Sequence, residues 1–161
     1  MHRYSLSLTW TGNLGRGTVD YRSYSRDFTV SSGDKPSLLG SSDPAFRGDA
    51  HRWNPEELLL ASIAGCHKLW YLHLCADAGI VVTAYTDSAT ATMERDDDGI
   101  TRITGAVLNP VATIATGHDR DLALALHTRA REECFIANSV NFPIEHQPRV
   151  IDADDARAHN D

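Results

Sequence analysis

Alternating polar and apolar positions near the start of the chain predict β-strands. Residues 3–10 place tyrosine, leucine and tryptophan on one side and serine and threonine on the other, which is the period of a half-buried strand. A similar alternation over 18–30 predicts one bent strand or two short ones, with Arg22, Tyr24 and Arg26 on one face. Residues 31–53 are rich in serine, glycine, aspartate and proline, which predicts a long loop.

The next segment predicts a long helix from Pro55 to about Ala78. Asn54 is a favourable N-cap, proline suits the first helical position, and Glu57 lies three residues after the cap, as in a capping box. Gly79 is expected to end the helix.

The second half of the chain predicts a hairpin, a helix and a last strand. Residues 81–94 and 100–114 are rich in β-branched residues and flank the turn RDDDG. Asp119 is expected to cap a helix with Leu122, Ala125 and Leu126 on its buried face. A strand over 143–150 follows.

The order of these elements predicts an α+β fold rather than a βαβ series. The length suits one domain, which we place at residues 1–150. The acidic residues 151–161 then form a C-terminal tail that is expected to be loosely held.

The first helix is apolar on nearly every side, so it must be covered all round. Small residues over 61–65 allow another backbone to approach closely, and we predict a homodimer in which the helix packs against its copy. The alternative is that these small residues fit against the chain's own sheet. The helix is long enough to span a membrane, but Glu56, Glu57 and Lys68 favour a buried helix without membrane contact.

The charge and the residue composition argue against several classes of function. The net charge is −7 and there is no basic run, which argues against a nucleic-acid partner. The first ten residues do not resemble a secretory signal, so we expect a cytoplasmic protein whose three cysteines stay reduced. The eight histidines follow no metal-ligand spacing, and we predict no metal and no cofactor. His67 and His73 are expected to face loops or the interface.

Helix geometry separates the two cysteines of the long helix. Cys75 lies nine residues after Cys66 and points to the opposite side, so the two cannot pair, and Cys75 is expected to be a core residue. Three apolar side chains share the side of Cys66 and would form an apolar wall around it: Ile63, Leu69 and Trp70. A thiol in such a wall reacts only if a cation is brought to it.

Arg22 and Arg26 are the candidates for that cation. Glu56 lies ten residues before Cys66, about 15 Å along the same axis, so it can reach such a site most easily from a partner subunit.

Two motifs carry a resemblance that extends over most of the chain. "NPEELLLASIAGC" contains Cys66 ten residues after Glu56, and "EECFIANSVNFPI" places Cys134 before the last strand. Together they resemble the OsmC/Ohr family of thiol-dependent peroxidases, named for osmotic induction and organic hydroperoxide resistance. The resemblance implies an intertwined homodimer whose central apolar helices are wrapped by antiparallel β-sheets.

The resemblance also implies a reaction and a set of residues. Cys66 would be the peroxidatic cysteine and Cys134 the resolving one, so that a Cys66–Cys134 disulfide forms and an external dithiol, of lipoyl type, reduces it. Glu56 would orient an arginine beside the thiolate. Family members often carry that arginine in the turn after the first strand, where this chain has GNLGRG, so Arg16, Arg22 and Arg26 all remain open.

The substrate pocket would then be apolar and suited to organic hydroperoxides. Its wall would be formed by Ile63, Leu69 and Trp70 together with Phe46 from the loop. The alternative function is a non-catalytic dimer of the same fold that senses redox state or binds an apolar ligand.

Overall fold

A computed structural model describes residues 1–158 of the chain. The chain forms two compact units, Met1–Leu59 and a second that begins at Leu60. Helices and mainly antiparallel sheets make up the α+β architecture that the element order predicts.

The first unit contains a three-stranded antiparallel sheet in the order β1-β2-β3. Its strands are β1 (Ser7–Trp10), β2 (Phe28–Ser31) and β3 (Leu38–Gly40). A 3₁₀ turn, Pro44–Phe46, follows. The long loop predicted over 31–53 therefore contains a short strand and a helical turn.

The strand predicted over 18–30 is wrong for its first ten residues, which form turns, bends and irregular backbone. The Asp20 carboxylate accepts a hydrogen bond from the Arg22 N–H at 2.7 Å, and such a local bond competes with strand pairing. The Ser25 carbonyl accepts the Trp10 indole N–H at 2.8 Å. A side chain at Gly12 would lie 1.9 Å from that carbonyl oxygen, so only glycine permits this close approach.

The long helix, α1 (Pro55–Asp77), begins as predicted. The Asn54 side chain accepts the Glu57 N–H at 2.8 Å, and the Glu57 carboxylate accepts the Asn54 N–H at 3.1 Å, which is a reciprocal capping box. Gly79 has a φ of 73°, and the Ile80 N–H reaches back to the Cys75 carbonyl at 2.8 Å.

One side of α1 is buried, and the rest is exposed or half-buried. The buried residues of the helix are Ile63, Cys66, His67, Tyr71, Leu74 and Cys75. Leu69 is 65% exposed. Among the described helices, α1 reaches the length and mean hydropathy of a membrane span, and 33% of that window is buried. The core helix of a globular fold meets the same two criteria.

The second unit contains two three-stranded sheets, in the orders β4-β7-β9 and β5-β6-β8. Their strands are β4 (Val82–Asp87), β5 (Thr90–Arg95), β6 (Thr101–Leu108), β7 (Pro110–Ile114), β8 (Ile144–His146) and β9 (Arg149–Asp152). The β4/β7 and β5/β6 pairs are antiparallel, while β8 and β9 pair in parallel with β6 and β7.

The predicted hairpin is present, but each of its two long arms is split between the two sheets. The split is fixed at Asn109, whose N–H donates to the Asp87 carboxylate at 2.8 Å and whose amide donates to the Ser88 carbonyl at 2.9 Å. Pro110 follows and begins the next strand. The last predicted strand, 143–150, is likewise two short strands.

A second helix, α2 (Arg120–Glu133), is capped by the Asp119 carboxylate, which accepts the Leu122 N–H at 2.9 Å. The cap was predicted correctly, but of the three residues predicted to share a face only Leu126 is buried. Leu122 is 41% exposed, and the buried residues of α2 are Ala123, Leu126, His127 and Ala130. The buried stripe is displaced by about one position from the predicted one.

The predicted C-terminal tail is partly ordered. Residues 151 and 152 belong to β9, and Ala153–Ala158 form a short helix, α3. Residues 159–161 of the predicted tail lie outside the described residues.

Candidate active site

Cys66 and Cys134 meet in the second unit. Cys66 lies on the buried side of α1 and is 7% exposed, and Cys134 caps the C-terminus of α2 and is 1% exposed. The two thiols are hydrogen-bonded to each other, and neither is in a disulfide. Two free thiols in contact are candidates for a disulfide, whose Cα–Cα separation is usually about 4.4–6.8 Å.

Cys134 lies at the start of a short turn that points amide groups at its sulfur. The Ala137 N–H donates to the Cys134 Sγ at 3.4 Å, and the Asn138 N–H donates to the Cys134 carbonyl at 3.0 Å. Burial, followed by the hydrogen bond with Cys66, raises the pKa of the Cys134 thiol to about 11, and the Ala137 N–H opposes this increase. Cys134 is therefore protonated at neutral pH.

A cavity of about 520 Å³ opens beside Cys66, and we call it the thiol cavity. Its lining residues are Ser62, Gly65, Cys66, Leu69, Trp70, His73, Phe135 and Ile136. Trp70 and Phe135 contact edge to face, with ring centroids 6.2 Å apart. The wall is almost entirely apolar, so the cavity favours an alkyl or aryl group over a small polar molecule.

The sequence placed Leu69, Trp70, Ile63 and Phe46 around the thiol. Leu69 and Trp70 line the thiol cavity. Ile63 does not contribute a surface, because its side chain is 1% exposed and packs in the core. Phe46 belongs to the 3₁₀ turn of the first unit, where it is 46% exposed and its carbonyl accepts the Tyr21 hydroxyl at 3.4 Å.

Arg26 is held in one orientation within the first unit. Its two guanidinium nitrogens donate to the Tyr24 and Tyr21 carbonyls, each at 2.6 Å. The guanidinium carbon lies 4.3 Å from the centre of the Tyr21 ring and 4.2 Å from that of Tyr24. Two hydrogen bonds and two cation–π contacts fix the charge in place.

Arg26 and Glu56 line one cavity of about 410 Å³, which we call the arginine cavity. The full lining is Trp10, Thr18, Tyr24, Arg26, Phe28, Ser41, Ser42, Pro55 and Glu56. One carboxylate oxygen of Glu56, Oε2, is buried without a hydrogen-bond partner. A buried carboxylate oxygen of this kind requires a donor or a cation.

The other two candidate arginines are placed differently. Arg22 is exposed and follows the Asp20 turn, so it does not share a face with Arg26 as a regular strand would require. Arg16 is exposed in the turn after β1. Neither lines the arginine cavity.

His67 does not fit the prediction that the two histidines of α1 face loops or the interface. His67 is fully buried, and its Nε2 lies 3.0 Å from Nδ1 of His127. His73 is exposed, lines the thiol cavity and lies 3.5 Å from the Asp77 carboxylate. Cys75 is confirmed as a core residue, and burial raises the pKa of its thiol.

Sequence reasoning missed several functional candidates. The contribution of Phe135 and Ile136 to the thiol cavity could have been inferred from their position directly after Cys134. The His67–His127 contact joins residues 60 positions apart and has no local signal. Within residues 1–158, no group of three histidine, cysteine or acidic side chains is placed to hold a metal ion.

Comparison with known proteins identifies the family. The sequence profile described as OsmC-like protein matches residues 48–148, which is more than half of the chain. No curated protein matches the chain.

Solved structures share the fold over nearly the whole chain. An OsmC-like protein of unknown function from Vibrio cholerae is 28% identical, with a TM-score of 0.84 over 92% of this chain and 99% of its own. An organic hydroperoxide resistance protein OsmC from Legionella pneumophila is 17% identical, with a TM-score of 0.66 and coverage of 94% and 98%. The organic hydroperoxide resistance protein OhrB of Bacillus subtilis is 19% identical, with a TM-score of 0.61 and coverage of 91% and 98%.

Proposed function

Because the chain belongs to the OsmC-like protein family, we propose that it is a thiol-dependent peroxidase that reduces organic hydroperoxides to alcohols. The observation that carries this proposal is the contact between two free thiols, Cys66 and Cys134, beside an apolar cavity. Several structural relatives are named for organic hydroperoxide resistance.

The first step takes place at Cys66. Its thiolate attacks the terminal oxygen of the hydroperoxide, so that an S–O bond forms as the O–O bond breaks. The sulfur loses two electrons and becomes a sulfenic acid, and the alkoxide takes up a proton and leaves as the alcohol.

The second step uses Cys134. Its sulfur attacks the sulfenic sulfur, an S–S bond forms, and the sulfenic oxygen leaves as water with the proton from Cys134. The contact between the thiols favours this step, and the Ala137 N–H stabilises the Cys134 sulfur as it loses its proton. An external dithiol, of lipoyl type, then reduces the disulfide by exchange.

The thiol cavity supports an organic rather than an inorganic peroxide. Leu69, Trp70 and Phe135 offer hydrocarbon surface to the substituent of the hydroperoxide. Burial of that substituent supplies binding energy that hydrogen peroxide lacks, at about 25 cal/mol per Å² of apolar surface. We therefore expect a preference for aryl and long alkyl hydroperoxides.

We assign the supporting cation to Arg26 and its orientation to Glu56. The two residues line the same cavity, Arg26 has a fixed guanidinium, and Glu56 has an unpartnered buried oxygen. We propose that the protein is a homodimer and that the partner subunit's Arg26 and the partner subunit's Glu56 complete the site around Cys66. The exposed apolar side of α1, which includes Leu69, supplies a surface for this association. Reduced thiols are expected in the cytoplasm, where we place the protein.

The test combines mass spectrometry and turnover. One equivalent of cumene hydroperoxide is expected to produce a Cys66–Cys134 disulfide, and dihydrolipoamide is expected to support repeated turnover. Cys66→Ser is expected to lower the rate at least a hundredfold. Cys75→Ser is the matched control, because Cys75 is a buried thiol of the same helix that lies in the core, and it is expected to keep the parent rate.

Two results would overturn the proposal. If Cys66→Ser consumes cumene hydroperoxide as fast as the parent chain, Cys66 is not the reacting group. If the disulfide forms with one equivalent of peroxide but no dithiol restores the thiols, the protein is a redox sensor of the same fold rather than an enzyme.

A further inference from the structure

Three histidines of the second unit pack together in its core. His67 comes from α1, His127 from α2 and His146 from β8. His67 is 0% exposed and His127 is 1% exposed. His67 Nε2 lies 3.0 Å from His127 Nδ1, and the rings of His67 and His146 have centroids 4.5 Å apart. We call these three residues the histidine cluster.

The groups that face the histidine cluster are neutral or cationic. Tyr71 of α1 stacks on His127 with ring centroids 3.7 Å apart, and Tyr71 in turn contacts Tyr85 of β4 and Cys75 of α1. On the side of α2, Arg131 acts on His146. Three ring nitrogens have no hydrogen-bond partner and are buried: His67 Nδ1, His127 Nε2 and His146 Nδ1. The surroundings of the histidine cluster therefore favour uncharged imidazole rings.

The His67–His127 bond lies next to the thiol pair. His67 directly follows Cys66 on α1, and His127 precedes Cys134 by seven residues, which is two turns of α2. Helices α1 and α2 are therefore joined by two neighbouring contacts, one between the thiols and one between the imidazoles. A movement of α2 that breaks the His67–His127 hydrogen bond also displaces Cys134 from Cys66.

We propose that His67 and His127 are positioning residues for the Cys66–Cys134 pair, and that protonation of the histidine cluster separates the two thiols. A hydrogen bond between imidazoles needs one donor and one acceptor nitrogen, so it is lost when both rings are protonated, because an imidazolium offers donors only. The inference rests on the proposed function in taking Cys66 and Cys134 as the residues that form the disulfide.

The cost of protonating the buried rings favours separation of the two thiols in acid, as the proposal requires. Burial and the neighbouring rings lower the pKa of His67 to about 3 and that of His127 to about 4, from the usual 6.5. A ring that becomes exposed regains the ordinary value. At pH 5 each newly exposed ring therefore favours the separated arrangement by about thirtyfold. At pH 7.5 the preference disappears.

A consequence for the reaction follows. In acid the second step, in which Cys134 attacks the sulfur of Cys66, slows more than it would if protonation of the Cys134 thiolate were the only cause. The Cys66 sulfenic acid then persists and is open to further oxidation to the sulfinic acid.

The experiment that tests this inference uses no hydroperoxide. The reduced protein is treated with one equivalent of 2,2′-dithiodipyridine, and closure of the mixed disulfide into the Cys66–Cys134 bond is followed between pH 4.5 and 7.5 by release of the second thiopyridone and by peptide mapping. Loss of the attacking thiolate alone gives a tenfold fall per pH unit. The proposal predicts a steeper fall in the parent chain below pH 6.5.

Two variants isolate the histidine cluster. His127→Gln keeps a hydrogen-bonding side chain that cannot take up a proton, and it is expected to close at the parent rate at pH 7.5 with a shallower fall in acid than the parent, because His67 still takes up a proton. The double variant His67→Leu/His127→Leu replaces both partners by apolar groups and is expected to show only the tenfold slope. His2→Gln, a change to an exposed histidine that lines neither cavity, is expected to keep the steep fall of the parent.

The outcomes separate the inference from the proposed function. A tenfold slope in the parent chain, equal to that of His127→Gln, refutes the inference and leaves the peroxidase proposal standing. Failure of the Cys66–Cys134 bond to close at any pH refutes both. A steep fall in the parent chain that is reduced in His127→Gln and absent in the double variant supports the inference.

Discussion

Buried neutral histidines make the second unit sensitive to acid, and the size of the effect can be worked out. The folded-state pKa of His67 is about 3 and that of His127 about 4, whereas an unfolded chain has about 6.5 for both. Between these values the unfolded chain binds protons that the folded chain does not. The stabilising contribution is therefore complete above pH 6.5 and is lost as the pH falls towards 4 and then 3.

At pH 5 the loss is about 2 kcal/mol for each ring, or about 4 kcal/mol for the pair, relative to pH 7.5. Both side chains are at most 1% exposed, so solvent does not screen the effect. Since a whole domain is stable by only about 5–15 kcal/mol, this loss removes a large part of the free energy of unfolding.

Urea unfolding measures this loss, and the protein concentration is held fixed because the proposed dimerisation would make stability depend on concentration. The parent chain is compared with His67→Leu/His127→Leu at pH 7.5 and pH 5. We expect the parent to lose about 4 kcal/mol more than the double variant, because the variant has no buried imidazole at these two positions. His73→Gln changes an exposed histidine and is expected to follow the parent.

The comparison between variants removes the contribution of other titrating groups, which are the same in all chains. If the parent and the double variant lose the same free energy within about 1 kcal/mol, the two imidazoles are not the acid-sensitive groups. The histidine cluster would then be hydrated or charged in solution, in conflict with the burial described above.

Three further changes test the proposed site. Arg26→Met is expected to lower kcat/KM for cumene hydroperoxide roughly a hundredfold, because losing a charge that stabilises the transition state has an effect of this size. Arg22→Met is the control and is expected to change kcat/KM less than twofold in the same steady-state assay. A Cβ at Gly65 meets open space in the thiol cavity, so a leucine side chain there would fill part of that cavity. Gly65→Leu is therefore expected to raise KM for cumene hydroperoxide at least tenfold and to leave KM for tert-butyl hydroperoxide nearly unchanged. Equal KM values for cumene hydroperoxide in parent and variant would contradict this. Gly12→Ala is expected to displace Ser25 and the neighbouring Arg26 and to lower kcat/KM as far as Arg26→Met does; parent-like activity would show that the arginine loop tolerates the change.

Local signals in the sequence were sufficient for α1, α2 and the strand regions of the second unit, but not for α3, which lies in the predicted tail. The start of α1 depends on Asn54 and Glu57, three residues apart, and its end depends on Gly79. The α2 cap at Asp119 is equally local. Such features need no knowledge of distant residues.

The loop that carries Arg26 could not be predicted from alternation. Residues 18–26 have the polar and apolar periodicity of a strand, but the Asp20 turn and the stacking of Tyr21 and Tyr24 on Arg26 form a different structure. These contacts depend on side-chain geometry that a period-two pattern does not contain. The place of Arg26 beside Glu56 in the arginine cavity follows from that loop.

The histidine cluster escaped prediction because it is assembled from three distant segments. One part of it was within reach, since His127 lies on the buried stripe of α2, which the sequence analysis displaced by about one position. The burial of His67 depends on its partner on α2 and has no signal in α1. Long-range polar contacts of this kind require the tertiary structure.

The central claim is that Cys66 is the group that hydroperoxide oxidises, and trapping of the sulfenic acid tests it most directly. The Cys134→Ser variant, which cannot form the disulfide, is treated with one equivalent of cumene hydroperoxide and then with dimedone, and the adduct is mapped by mass spectrometry. We expect one adduct per chain, on Cys66, together with loss of one equivalent of peroxide. An unmodified Cys66 with the peroxide left intact would contradict it.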